Sequence, residues 1–173
     1  MKIMAISGSL RAGSSNAWLL KGAARLVPAH VDVALDEGLG HLPHFNPDLD
    51  DEKSPDAVRA WRQKLRAHAG FIISAPEYAH GVPGALKDAL DWLVSSGELV
   101  DKPVLLITAS PSAAEFAHAQ LTEILSTMSA RVLPESIRTN LGRTAVDADG
   151  SISNPQLLAQ LQRGVAALVA ALG

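Results

Sequence analysis

The sequence predicts an α/β fold, a parallel sheet with helices on both faces. Three observations carry that prediction. Short continuous apolar runs, Phe71-Ile72-Ile73-Ser74-Ala75 and Val104-Leu105-Leu106-Ile107-Thr108, have the length of strands buried on both faces. Between the runs lie segments whose apolar residues recur at helical spacing, so strand and helix alternate. No internal repeat, low-complexity stretch or linker interrupts the alternation, and 173 residues suit one domain spanning 1–173.

The elements follow in order. Ile3-Met4-Ala5-Ile6 is the first strand, and Ala17, Leu19, Leu20, Ala23, Ala24 and Val27 line the first helix. Val31 to Leu35 alternates as a half-buried edge strand does. Asp36 to Pro55 is a long loop rich in Gly, Pro and Asp, of the kind that borders binding sites. Asp56 to His68 is a helix burying Val58, Trp61 and Leu65, and it leads into the strand at 71–75. Pro76 to Gly84 is too rich in turn residues to continue either regular structure. Ala85, Leu86, Ala89, Leu90 and Leu93 form the stripe of the next helix, which precedes the strand at 104–108. A helix over 113–130, a short strand near Arg131-Val132-Leu133 and a final helix from Asn154 close the chain. Five strands fit the flavodoxin-like order 2-1-3-4-5, which brings the loops after strands one and three together at the carboxyl edge of the sheet.

The first of those loops is the most informative stretch. Ser7-Gly8-Ser9-Leu10-Arg11-Ala12-Gly13-Ser14-Ser15-Asn16 joins a strand to a helix start. Unpaired N–H groups and the positive end of the helix dipole favour an anion there. Ser9, Ser15 and Asn16 add small donors, and Arg11 adds a charged fork suited to phosphate oxygens. A bare helix cap at Ser14, Ser15 or Asn16 is the competing reading. The loop lacks the Gly-Lys-Ser/Thr ending of a nucleoside-triphosphate loop and the G-x-G-x-x-G of a dinucleotide fingerprint.

Composition excludes several classes. With no cysteine, the chain can hold no disulfide, thiolate nucleophile or cysteine-ligated metal. A net charge of −3 gives no reason to expect nucleic acid or an anionic membrane as partner. No window has the length of a membrane span, no charged-then-apolar signal precedes the first strand, and cytoplasm is the expected location. His41 and His44 near Asp48, Asp50 and Asp51 are a weak metal candidate on an irregular loop, weighed against a solvated acidic loop, and no metal is expected. A serine hydrolase is excluded by the lack of a Gly-x-Ser-x-Gly elbow.

Gly8-Ser9-Leu10-Arg11 with Ser15-Asn16, and Pro76-Glu77-Tyr78 followed by Pro83-Gly84-Ala85-Leu86-Lys87-Asp88-Ala89-Leu90-Asp91-Trp92, resemble the NAD(P)H-dependent FMN reductase family. That group includes quinone, chromate and azo-dye reductases. Lys102-Pro103-Val104 and Ala109-Ser110-Pro111 extend the resemblance over nearly the whole chain. It implies an oxidoreductase that passes hydride from NADPH or NADH through FMN to a quinone or similar acceptor, with no protein residue needed as catalyst. It also implies that Ser9, Arg11, Ser15 and Asn16 hold the FMN phosphate, aided by backbone N–H groups near Ala17. Pro76, Glu77, Tyr78 and Ala79 would run beside the flavin ring with Ser110 near the ribityl chain or the far side of the ring. A homodimer or homotetramer is implied, with the Trp92 helix and the 36–55 loop as contact candidates.

The chain departs from the family pattern in two places. The loop Ser110-Pro111-Ser112-Ala113-Ala114-Glu115-Phe116 has no glycine where family members usually carry them, and Ala79 stands where asparagine is frequent. The glycine-free loop supports an alternative, a flavodoxin-like scaffold or ligand-binding protein with weakened or lost flavin chemistry. A non-enzymatic electron carrier would need a more acidic surface. Among single residues, Glu77 reads as a carboxylate that fixes its loop, and Tyr78 as a ring beside the flavin. His80 reads either as a substrate-facing group or as an exposed loop histidine. Trp18 and Trp92 read as core or subunit interface, and Glu115 with His118 as a surface pair.

Overall fold

A computed structural model describes residues 1–50, 52–140 and 146–173. Strands β1 (Lys2–Ser7), β2 (Asp32–Asp36), β3 (Gly70–Ala75) and β4 (Pro103–Ser110) alternate with helices α1 (Ser15–Arg25), α2 (Asp56–Arg66) and α3 (Gly84–Asp91). Helix α4 (Glu115–Thr127), strands β5 (Arg131–Val132) and β6 (Ile137–Asn140) and helix α5 (Pro155–Ala171) complete the order. All pairings in the sheet are parallel, and the strand order is 2-1-3-4-5. The α/β architecture expected from the alternation is present.

The two central strands explain why their sequences run apolar without alternation. Every residue of β3 and β4 is buried, because helices cover both faces. Within each strand the side chains divide by parity. Phe71, Ile73, Val104 and Leu106 pack with Trp61, Leu65, Leu90 and Leu121 of α2, α3 and α4. Ile72, Leu105 and Ile107 pack with Leu19, Leu20, Leu161 and Leu168 of α1 and α5.

The fifth position of the sheet differs from the expectation. It is shared by two short strands: β5 pairs with Pro103 and Val104, and β6 pairs with Ile107 to Ser110. Between them Pro134 interrupts the chain, and the Ser136 hydroxyl, 3.1 Å away, accepts the Leu106 N–H in place of a strand carbonyl. Helix α4 is shorter than the predicted 113–130. Ala113 and Ala114 before it and Ser129 after it all have positive φ, which ends the helical geometry.

The 36–55 loop carries two 3₁₀ turns, Leu39–His41 and Pro47–Leu49, and although most of its described residues are exposed it is fastened to the core at a few points. Trp92 donates its ring N–H to Pro43 O at 2.9 Å and meets Phe45 edge-on at 5.0 Å, while Asp88 accepts the Phe45 N–H at 2.9 Å. Trp92 is fully buried by these contacts, and its side chain is core. Trp18 is partly buried against the α1/α5 side of the core. Two of the metal candidates have other partners: Asp50 pairs with the buried Arg62 at 2.5 Å, and His44 lies 3.7 Å from Asp88. Asp51 lies outside the described residues.

Candidate flavin site

The loops after β1, β3 and β4 close on one cavity of about 420 Å³ at the carboxyl edge of the sheet. Of the sequence-predicted residues, Ser9, Arg11, Ser15, Asn16, Pro76, Glu77, Tyr78 and Ser110 line it. Ser14, Ala109 and Pro111 line it as well. Ser14 was legible as a helix cap, and Ala109 and Pro111 as neighbours of Ser110.

Strand β1 delivers its loop across β3. Gly8 donates to Ser74 O at 2.7 Å, and a Cβ there would stand 2.8 Å from Leu86 and 3.0 Å from Ala75, so a larger residue would have to push both neighbours aside. The chain then turns outward. Arg11 is exposed, and its guanidinium donates to Gly13 O at 2.9 Å. Ser14 caps α1 by accepting the Ala17 N–H at 3.4 Å. Ser15 and Asn16, the first residues of α1, bring first-turn N–H groups that have no carbonyl within the helix.

Two of the expected residues have their polar groups engaged elsewhere. Ala17 is not among the residues that line the cavity, and its N–H donates to the Ser14 hydroxyl at 3.4 Å. The Asn16 side chain is buried and turned inward, donating to Ala109 O at 3.1 Å and accepting from Ser74 Oγ at 3.0 Å. It ties the start of α1 to β3 and β4, and its backbone N–H is what it can offer an anion.

The opposite wall is a tight hairpin. Tyr78 and Gly81 exchange both backbone hydrogen bonds, at 3.0 and 2.9 Å, and the two residues between them have positive φ, 49° at Ala79 and 58° at His80. This is the geometry of a type I′ turn, built without its usual Asn-Gly. Ala79 sits at the tip, away from the cavity lining. Since the hairpin occupies the Tyr78 N–H and C=O, the backbone polar groups left to face a ligand on this wall are those of Pro76 and Glu77. The Tyr78 ring stands over the cavity mouth, 52% exposed, with its hydroxyl 3.5 Å from Ser9 Oγ.

Glu77 fixes its loop, as its sequence context suggests. One carboxylate oxygen accepts the N–H groups of Phe116 at 2.8 Å and Ala117 at 3.0 Å, and the other accepts the Ser112 hydroxyl at 2.9 Å. The Ala117 N–H, above all, holds this carboxyl below the ordinary glutamate range; burial opposes it, and Ser112, Phe116 and His80 add lesser contributions on the side of Ala117. Ala114 occupies the N-cap of α4 with no side chain able to cap it, and Glu77 performs the capping from outside. His80 stacks on Phe116 with ring centres 4.4 Å apart, and Gln120 bonds Val82 N and His80 O. The expected Glu115–His118 pair is absent: Glu115 lies 3.6 Å from Arg138, while His118 bonds the buried Thr108 hydroxyl at 2.7 Å.

Comparisons with known proteins identify the family. A model of the family described as NADPH-dependent FMN reductase matches residues 1–140. A NADH:(hydroxy)cinnamate reductase subunit of Vibrio ruber is 35% identical over 167 residues, covering 93% of this chain and 82% of the relative. An NAD(P)H-dependent FMN reductase of Pseudomonas aeruginosa is 32% identical over 97% of this chain and 93% of its own. The quinone reductase of Escherichia coli K12 is 33% identical over 77% of this chain and 73% of its own. Among solved structures, a flavoenzyme NAD(P)H:(acceptor) oxidoreductase of Paracoccus denitrificans superposes with a TM-score of 0.87 at 28% identity, covering 99% of this chain and 96% of the other. An archaeal flavodoxin, at 12% identity and a TM-score of 0.69, shares the fold. The chain belongs to the NADPH-dependent FMN reductase family.

Proposed function

We propose that this protein is an NAD(P)H-dependent FMN oxidoreductase that passes hydride from a nicotinamide to a quinone-like acceptor, and that the cavity between the β1 and β3 loops is its flavin site. The observation that carries the reading is the composition of the two ends of that cavity. At one end are the Arg11 guanidinium, the Ser9 and Ser15 hydroxyls and the start of α1, a donor set suited to a phosphate dianion. At the other are Pro76, the backbone of Glu77 and the exposed Tyr78 ring, which suit a flat heterocycle with a polar rim. A volume of about 420 Å³ falls within the range of cofactor pockets.

When bound, FMN supplies the two-electron hydride chemistry. The protein's part is to hold and orient. Arg11 and the α1 start would fix the phosphate, and Glu77, by holding the hairpin against α4, keeps the second wall in place. No side chain is required as a general base, and the carboxylate of Glu77 is already committed to α4.

We extend the reading to a cytoplasmic homodimer or homotetramer. An open cavity mouth and an exposed Tyr78 support a neighbouring subunit as cover, and mass in solution at micromolar concentration tests it. No helix among the described residues is long and apolar enough to cross a membrane.

The direct test is FMN titration by flavin fluorescence quenching, followed by NADH and NADPH oxidation with a benzoquinone. Tight FMN binding and quinone-dependent turnover are expected. A wild-type protein that binds no FMN would overturn the reading in favour of the scaffold alternative.

A further inference from the structure

The hydrogen-bond chain that leaves Glu77 ends in the cavity, and its proton positions follow from counting. An ionised carboxylate only accepts, so at 2.9 Å the single Ser112 hydroxyl proton must point to Glu77. Ser112 Oγ then faces Ser110 Oγ, 2.8 Å away, with a lone pair, and Ser110 must supply the proton of that bond. Ser110 Oγ also accepts the Ser112 backbone N–H at 3.1 Å. Its one proton and one of its two lone pairs are therefore occupied. What remains toward the cavity is a single lone pair.

We propose that Ser110 is a specificity-determining residue that acts only as a hydrogen-bond acceptor, its polarity set by Glu77 through Ser112, so that it receives an N–H or O–H of the bound ligand and rejects an acceptor at that point. The inference rests on the flavin-site reading for the identity of the ligand but on this chain's atoms for the polarity. Glu77 is a positioning residue here, since it acts through Ser112 and Ser110. The neutral amide reverses the chain. In Glu77→Gln the side-chain oxygen must stay on the Phe116 and Ala117 N–H groups, because the NH₂ cannot accept them. The NH₂ then faces Ser112 and donates to it. Ser112 donates to Ser110, and the Ser110 proton is turned into the cavity.

The test is a double-mutant cycle on FMN dissociation constants, using Glu77→Gln, Ser110→Ala and the pair. Ser110→Ala is expected to weaken FMN by about two- to tenfold. Glu77→Gln is expected to weaken it by about tenfold, since a donor now meets a donor, and by less than about twofold when Ser110 is already alanine. Equal losses from Glu77→Gln in both backgrounds would overturn the proposal, because the effect would then be charge or loop disorder. Neutron diffraction from ligand-free crystals in D₂O reads the same point without a cofactor. The Ser112 deuteron is expected on the line to Glu77 and the Ser110 deuteron on the line to Ser112, and a Ser110 deuteron directed into the cavity overturns the proposal. A wild-type protein that binds no FMN would instead count against the cofactor reading, and the neutron map would still decide the polarity.

Discussion

The Glu77 carboxylate accepts the Ala117 backbone N–H at 3.0 Å, so the first turn of α4 is capped by a residue from the loop after β3. Glu77→Ala removes an acceptor from Phe116, Ala117 and Ser112 together. It is expected to lower the melting temperature and speed hydrogen exchange at the Phe116 and Ala117 amides, with amides of α5 unaffected. The folded-state pKa is depressed, so the contribution is in full force above the ordinary value of 4.5 and is lost as pH falls through the lower folded value. Glu77→Gln should flatten that part of the acid limb.

Arg11→Ala removes the one cationic side chain that lines the cavity among the described residues. Loss of a charge-assisted phosphate contact of about 1.5–3 kcal/mol predicts FMN binding weaker by roughly 10- to 150-fold. Riboflavin, which has no phosphate, should bind the variant and the wild type alike. Parallel fluorescence titrations check both statements.

Four residues without glycine's freedom, Ala79, His80, Ala113 and Ala114, hold positive φ in the two loops that Glu77 joins. Ala113→Gly and Ala79→Asn are each expected to stabilise the protein by about 0.5–1 kcal/mol, because the left-handed conformation costs alanine more than either replacement. Chemical denaturation measures this, with an unchanged m-value expected.

Trp92 and Asp88 fasten the 36–55 loop. Trp92→Phe keeps most of the buried ring and loses the bond to Pro43 O, an expected cost of about 1–2 kcal/mol, whereas Trp92→Ala should cost about 3–5 kcal/mol. Asp88→Ala strands the Phe45 N–H, and faster proteolysis within 36–55 should accompany a smaller loss of stability.

His118 is held neutral by burial first and by the Arg138 charge second, so its folded pKa lies below the ordinary 6.5. The unfolded chain therefore takes up this proton first as pH falls. Stability from His118 is complete above 6.5 and declines as pH drops from there toward the folded value. His118→Gln should remove that decline, which melting curves between about pH 5 and 7.5 would show.

The sheet order and most cavity-lining residues were legible because buried parallel strands and turn-rich loops carry strong local signals. β6 was not. It has one fully buried residue, Ile137, and pairs only with β4, so its four residues resemble loop. Glu77's partner on α4 lies 40 positions away, and no spacing rule reports a cap donated over that distance. The same holds for Asn16: its type suited a phosphate donor, but its bonds to Ala109 and Ser74 are tertiary. Local pattern placed the loops, and only packing decided which atoms remain available.

The cavity walls come from distant parts of the chain: Ser9 meets Tyr78 across 69 positions, and Asn16 meets Ala109 across 93. No short fragment of the polypeptide therefore contains the site, and the unfolded chain has none. Any ligand of the cavity binds the native state alone and draws the whole folding equilibrium toward it. At a hundred times its dissociation constant it would add about 2.7 kcal/mol to global stability. Cofactor supply in the cell would then act on the abundance of this protein as well as on its turnover.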